Sequence, residues 1–489
     1  MEIINFTNIK SLLFNNTTVK QTIFKNTLWL TLGIAVSKFL KIVLIVYVAR
    51  ILGATEYGML SFALAFVSIF IVFADLGLSN IIIREFAREK ENEKEFYSIL
   101  SLKILLTLGA LMAIFITSFS ITSDIIIRKI IWILAMFSMV EWFSVIFYVF
   151  FQARQKMEYQ SFAVIFESLA VTIIGFFVIL NYPSAQNLSY AYLGASLIGL
   201  IFVLFLFHFK FIPLKISWQR SVWRKFLLMA WPLALAGVFT TVYNYIDSIM
   251  MGSMGQITET GWYNAAYRIT AVFSIPLGLI FASFFPMVSK FFKESKEKLQ
   301  KAWNYQMEII ILVTLPLMVG GIVLAPKIID FVYGSGFTPA ILAFQILIIT
   351  AGISFFCTPL QYLLIAANQE KNFFWITSSA ALVNIILNFI LIPRFSLYGA
   401  AAATAITYIL ILILFLKFIM KFAIVQPFSL KLFPIFISAF LSSALMYFAV
   451  SQPQIYHLNV FFSILIGVLV YGVAIFFLRK SLGYLYAQK

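Results

Sequence analysis

Cysteine is nearly missing from this chain: Cys357 stands alone among 489 residues. That leaves no disulfide framework and no cysteine-based metal site. Histidine is as scarce, and His208 and His457 are too few for a histidine metal cluster. Charge is thin, with 11% of residues charged against 62% hydrophobic and 18% aromatic. At a mean hydropathy of +1.00 the polar surface cannot cover soluble domains, so an integral membrane protein is predicted. No GxxxxGK[ST] phosphate loop occurs, and neither a paired-acid nor a DxD glycosyltransferase signature does. ATP hydrolysis and sugar transfer therefore lack their machinery in this chain. The first 26 residues are polar and precede a full-length apolar run, so no cleaved signal is expected and the first span should remain as an anchor.

Apolar runs are what the sequence has in abundance. A bilayer core takes about 20 residues per helix, and fourteen such runs are found. They cover roughly 27–49, 59–83, 98–120, 126–150, 161–182, 188–209, 226–252, 262–288, 304–326, 338–367, 373–393, 396–416, 432–450 and 458–478.

The connecting segments test this count, because Lys and Arg favour the cytoplasmic side. With the N-terminus inside, the inner segments hold 26 of the 35 basic residues, Lys10, Lys90 and Lys489 among them. The outer loops hold five: Arg50, Arg128, Lys129, Lys327 and Arg394. A wrong count would invert the bias partway along, so both termini are expected in the cytoplasm. The net charge of +16 then reads as a topology signal and a match to anionic inner-leaflet lipid, with no nucleic-acid partner expected.

Four basic residues fall inside spans: Lys38, Lys41, Lys103 and Arg268. Lys103 lies close enough to the inner end of its span to snorkel to the interface. Lys38 does not, since it sits eleven residues into the first span, about 16 Å deep. Lys41 is one turn on, on the same face. Such cations line a water-filled cavity or form buried ion pairs, with Asp75 or Glu141 as partners. Asp75, in ADLGLSN, also marks a candidate helix break, and Glu141 and Glu167 are candidate proton-relaying acids.

The chain echoes itself. YVFFQARQK (148–156) lies over YLLIAANQEK (362–371) with Tyr, Ala and Gln in register, and ATEYGMLSFALAFVS echoes TETGWYNAAYRITAVFS. Spans 1–6 and 7–12 therefore read as two copies of a six-helix unit related by a pseudo-two-fold axis along the membrane normal. The domain plan is a cytoplasmic segment 1–26, an N-lobe 27–209, a linker 210–225, a C-lobe 226–416, two added helices over 432–478 and a tail 479–489.

ARILGATEYGMLSFALAFVSIFIVFADLGLSN (49–80), PLGLIFASFFPMVSKFF (276–292) and NIILNFILIPRFSLYGAAAATAIT (384–407) resemble the Wzx-type polysaccharide flippases. These belong to the multidrug, oligosaccharidyl-lipid and polysaccharide exporter superfamily, which also holds the lipid II flippases. The resemblance implies an all-α fold of about 14 transmembrane helices in the cytoplasmic membrane. It further implies translocation of an undecaprenyl-type lipid-linked oligosaccharide, as in O-antigen or capsule synthesis, by alternating access around a cationic cavity. Lys38, Lys41 and Arg268 would then bind the pyrophosphate, since dragging that anion through hydrocarbon is prohibitive unless cations and water replace its hydration shell. Trp262, Tyr263 and Tyr267 either stack on sugars or anchor the span at the interface. A polysaccharide polymerase and its chain-length machinery are implied partners, and transport is secondary or passive.

Asp247, Arg268, Asn388 and Thr404 all fall in a layer roughly 8 to 12 Å below the outer surface, with Asn384 one turn from Asn388. By resemblance to the lipid II flippase branch, Asp247, Asn384, Asn388, Thr404 and the Ala400 carbonyl form a sodium site. Asn388 departs from that branch, where an acid can stand, which weakens cation binding. The alternative is that Asp247 neutralises Arg268 while the asparagines join helices. Either set of acids is available for coupling to Na+ or H+, a passive flip being the alternative, and no other cofactor is expected. Two rival functions are weighed. A multidrug exporter of organic cations fits poorly with three embedded basic residues. A membrane-embedded glycosyltransferase or polymerase fits poorly with loops no longer than about 15 residues.

Overall fold

A computed structural model describes residues 13–88, 93–211, 215–422 and 424–487. Lys10, Lys90 and Lys489, with residues 1–12 of the expected N-terminal segment, 212–214 of the linker and 488–489 of the tail, lie outside the described residues. Among the described residues all regular structure is helical. The chain forms two compact units, Met1–Ser253 and Met254–Lys489.

The first unit holds α1 (Val19–Asp75), α2 (Leu78–Arg88), α3 (Glu93–Ile121), α4 (Ile125–Ala153), α5 (Met157–Asn181), α6 (Ala185–Lys210) and α7 (Arg220–Ser253). The second holds α8 (Ile257–Glu294), α9 (Lys296–Tyr333), α10 (Ala340–Ala366), α11 (Glu370–Lys421), α12 (Phe433–Val450), α13 (Pro453–Tyr456) and α14 (Val460–Ala487). Among the described residues ten helical stretches are long and apolar enough to cross a bilayer. Two of them, Val19–Ala87 and Lys371–Lys421, each contain two of the fourteen expected spans, divided at Gly53 and Ser396. The expected seventh and eighth spans lie in α7 and α8.

Helix boundaries follow local chemistry. Asp124 caps α4, its carboxylate accepting from the Ile126 and Ile127 amides at 2.7 and 3.2 Å. Ser184 caps α6 through the Asn187 amide at 3.1 Å. Gly53 (φ 75°) divides α1, using a left-handed conformation that costs glycine nothing. The second span breaks where the sequence reads DLGL: Leu76 (φ 47°) and Gly77 (φ 73°) are both left-handed, and the strongly amphipathic α2 starts directly after them.

α1 runs along α3, α4, α5 and α7. Lipid supplies no hydrophobic drive for such contacts, so close van der Waals approach has to hold them. Gly252 of α7 shows how close: a methyl group there would sit 2.1 Å from the Phe62 ring. This packing joins α7 to the first unit, so the units divide one helix beyond the 210–225 linker. At the end of the first unit away from Gly53, Phe86, Phe96, Phe150, Phe207 and Phe226 form a buried aromatic cluster, the Phe96 and Phe207 rings 5.4 Å apart.

In the second unit α10 packs on α8, α9 and α11, while α12 packs on α9 and α14. α11 folds back on itself at Ser396 (φ 53°). Its two arms are so close that a Cβ on Gly399 would lie 2.3 Å from the Leu391 carbonyl oxygen. The internal repeat reappears as turn geometry. The α4–α5 and α10–α11 turns share one hydrogen-bond pattern, with Gln155 (φ 56°) and Asn368 (φ 54°) in the left-handed position. That pairs Gln155 with Asn368, one residue away from the sequence match with Gln369, because the turn and not residue identity fixes the register.

Candidate functional site

In the first unit Lys41, mid-span on α1, faces Glu141 of α4. Small residues make room for this: the Ser37 and Ser168 hydroxyls meet at 2.6 Å, and the Ser161 hydroxyl donates to the Trp29 carbonyl at 2.6 Å. The Lys41 ammonium lies 2.8 Å from Glu141 of α4, with side chains 46% and 27% exposed. Lys38 is exposed, and among the described residues no side chain pairs with it. Glu167 of α5 is buried; its Oε2 accepts from the Tyr148 hydroxyl at 3.1 Å, and its Oε1 has no partner among the described residues. Lys41 and Glu141 are near enough to Glu167 to interact with it electrostatically. One cation, two carboxylates and a phenol thus share one polar layer.

Asp75 belongs elsewhere. Its carboxylate binds Lys103 of α3 at 2.6 Å and the Ser79 hydroxyl at 2.6 Å, so it partners neither Lys38 nor Lys41. Lys103 is correspondingly not a snorkelling residue, for its side chain is 1% exposed. The broken span turns Asp75 inward, and a paired lysine inside costs less than a lone carboxylate there. Sequence distance hid a second buried pair, Lys25 with Glu158 at 3.0 Å. Lys25 also donates to Asn16 at 2.6 Å, and Trp29 donates to the Leu13 carbonyl at 2.8 Å, so residues just before α1 are fastened to the α4–α5 turn.

Asp247 is buried on α7, in the first unit. The other residues of the expected cation site, Asn384, Asn388, Ala400 and Thr404, are in the second, along the folded-back α11. Asn388 Nδ2 donates to Asn384 Oδ1 at 3.1 Å, and Asn384 Nδ2 donates to the Thr407 hydroxyl at 3.4 Å. The Thr404 hydroxyl donates to the Ala400 carbonyl at 3.0 Å. A sodium ion fits these four residues poorly as they stand. Their oxygens are hard, but Asn384 Oδ1 and the Ala400 carbonyl already accept hydrogen bonds, and none of the four carries charge. Of these bonds the one from Asn384 to Thr407 crosses between the two arms of α11, and Thr407 is the member that the sequence reading missed.

Arg268 is half-buried on α8. Of the aromatic residues before it, Trp262 donates its indole N–H to the Gly336 carbonyl at 2.9 Å and Tyr263 is buried. Tyr267 keeps an exposed face, its ring 6.3 Å from that of Tyr263. The added helices α12 and α14 form, with α9, an open apolar groove of about 330 Å³ bordered by Pro316, Met446, Gly467 and Tyr471. Such a lining suits a hydrocarbon chain and offers a charge nothing.

The family described as "Polysaccharide biosynthesis protein" matches residues 23–292, more than half of the chain. Over 188 residues the chain is 27% identical to the probable low-salt glycan biosynthesis flippase Agl15 of Haloferax volcanii, covering 38% of this chain and 39% of that protein. Over 195 residues it is 26% identical to the probable flippase AglR of the same organism, covering 39% and 38%. The match thus spans about two fifths of the length of these curated relatives. In fold it is similar to the lipid II flippase MurJ in an inward closed conformation, with TM-score 0.74 and 17% identity over 92% of this chain and 99% of that one. An inward-facing multidrug resistance MATE family transporter of the MOP superfamily follows at TM-score 0.65 and 15% identity, covering 81% of this chain and 98% of that one. The chain is therefore a multi-pass, all-helical membrane protein of the MurJ and MATE fold, and it belongs to the polysaccharide biosynthesis protein family.

Proposed function

We propose that this protein is a flippase for a lipid-linked oligosaccharide, moving it from the inner to the outer leaflet of the cytoplasmic membrane by alternating access. The observation that carries the reading is the pair of lysines at mid-span. Lys38 and Lys41 are both exposed although the first span places them deep in the bilayer. A lysine facing hydrocarbon there costs several kcal/mol by roughly any insertion scale, so the surface they share faces water. A water-lined, cationic surface inside a membrane protein has an anion to carry.

Family membership, and likeness to two probable flippases of which one serves glycan biosynthesis, favour a lipid-linked glycan as the cargo, and the anion such a cargo offers is its lipid pyrophosphate. Lys38 and Lys41 are the binding groups of the first unit; in the second, Arg268 carries a guanidinium fork whose shape matches two phosphate oxygens at once. Both termini are cytoplasmic by the Lys and Arg bias, and a polysaccharide polymerase acts on the delivered product. A sodium or proton gradient drives the cycle, with Glu141 and Glu167 as the acids available to the coupling. Organic cations are poor cargo for this surface, which sets the multidrug reading aside.

The test is flipping in proteoliposomes of undecaprenyl-pyrophosphate-linked oligosaccharide, with each gradient collapsed in turn. The wild type should flip it and the doubly substituted Lys38→Ala, Lys41→Ala protein should not, while both melt alike. Equal flipping by the two, or none above protein-free vesicles by the wild type, overturns the reading.

A further inference from the structure

The Lys41–Glu141 pair raises a question that the flippase reading leaves open: why is a cation meant for substrate already neutralised? Among the described residues, the two ion pairs that join spans of this unit differ in kind. Lys103 is 1% exposed against Asp75, so that pair is sealed and its partners cannot part without stranding a buried charge. Lys41 is 46% exposed and Glu141 27%, at a separation of 2.8 Å. A pair this open is weak enough to be exchanged. Glu141 accepts from Lys41 with Oε1, and Glu167 stands behind as a second acid, held by Tyr148. Lys38, one turn before, is exposed and has no partner among the described residues. An incoming anion therefore meets one free ammonium and one occupied one.

We propose that Glu141 is the resident counter-anion of Lys41, a built-in competitor that sets which anions this site accepts. The inference rests on the flippase reading and deepens it. The anionic phospholipids of a bilayer present phosphodiesters with no cation in their own headgroup, at high local concentration, and a bare pair of lysines would be permanently occupied by them. An internal carboxylate lowers the affinity of every external anion for Lys41 by a common factor. Phosphodiesters, single charges with weak intrinsic affinity, then fall below the level needed to bind. A pyrophosphate remains above it, because its several charged oxygens engage Lys38 and Lys41 together. Glu141 is thus a specificity-determining residue, and it acts without touching the substrate.

The test uses the full chain in phosphatidylcholine nanodiscs, with farnesyl pyrophosphate as the probe and phosphatidylglycerol as the competing phosphodiester. Replacing Glu141 by Gln, or by Ala as a second neutral variant, should tighten probe binding about tenfold, the scale of losing one opposite charge at this range. Doping the nanodiscs with phosphatidylglycerol should then weaken the probe's affinity for the neutral variants several-fold and leave the wild type and Glu141→Asp unmoved. A merely structural role for Glu141 would produce looser binding and no new lipid sensitivity. Neutral variants that bind the probe no more tightly than the wild type, or that ignore phosphatidylglycerol as it does, overturn the inference and leave the flippase reading standing. Failure of the flippase reading looks different: the wild type and Lys41→Met would bind the probe equally, or neither would bind it.

Discussion

Replacing Lys103 by Met tests the physics of the broken second span most directly. The ammonium of Lys103 lies 2.6 Å from Asp75 Oδ1 with its side chain 1% exposed, so the substitution strands a carboxylate beside the break at Leu76 and Gly77. At that distance and an effective dielectric of about 20 the gross attraction is roughly 6 kcal/mol, most of it offset by desolvation of both ions. The net worth of the pair is therefore small, but removal of one partner alone costs about 3 to 5 kcal/mol. The Ser79 hydroxyl, 2.6 Å from the same carboxylate, softens the loss toward the lower figure. Asp75→Asn added to Lys103→Met removes the stranded charge and keeps an acceptor for Ser79, so the double variant should regain most of the stability. The assay is denaturant unfolding of the purified protein followed by tryptophan fluorescence, to which Trp142, 5.8 Å from the Lys103 ammonium, contributes locally. A single variant as stable as the wild type, or a double variant no better than the single, refutes the argument. Lys41→Met supplies the contrast, since a pair this exposed contributes about 1 kcal/mol or less.

Two further outcomes are expected in the second unit. Gly399→Ala forces a methyl group toward the Leu391 carbonyl, 2.3 Å away and part of a backbone that cannot step aside, so the fold-back of α11 should open and the protein should fail to survive detergent extraction; an extractable variant that melts like the wild type contradicts the packing. Asn384→Leu removes the bond of the ladder that crosses between the arms of α11, Asn384 to Thr407, at a cost of about 0.6 kcal/mol, the average for such interhelical bonds in a bilayer. Because this amide serves as a tie, flipping by that variant should respond to sodium as the wild type does, and a selective loss of sodium dependence would restore the cation-site reading.

Much of the architecture was legible because it follows from one-dimensional regularities. Apolar runs of bilayer length and the one-sided placement of Lys and Arg need no knowledge of which helix touches which. The DLGL stretch announced its break in the same way, since Gly77 permits the conformation that Asp75 and Leu76 lead into. The register of the internal repeat slipped by one residue, because Tyr, Ala and Gln matched by identity while the turns align by hydrogen bonding. Lys103 departs from the expected interfacial position for a related reason. Depth along a helix says that a lysine can reach the interface, and it does not say that an acid waits on the neighbouring helix.

What the sequence by itself determined is therefore the solvent, the number of crossings, the family likeness and the short roll of charges that must be explained. Each is a property of single residues or of local stretches. Tertiary structure decided the partners: Asp75 for Lys103, Glu141 for Lys41, Glu158 for Lys25, and Thr407 for Asn384. The reason is energetic. A charge inside a bilayer is tolerable only beside a counter-charge or water, and which of the two it finds depends on packing between residues scores of positions apart in the chain.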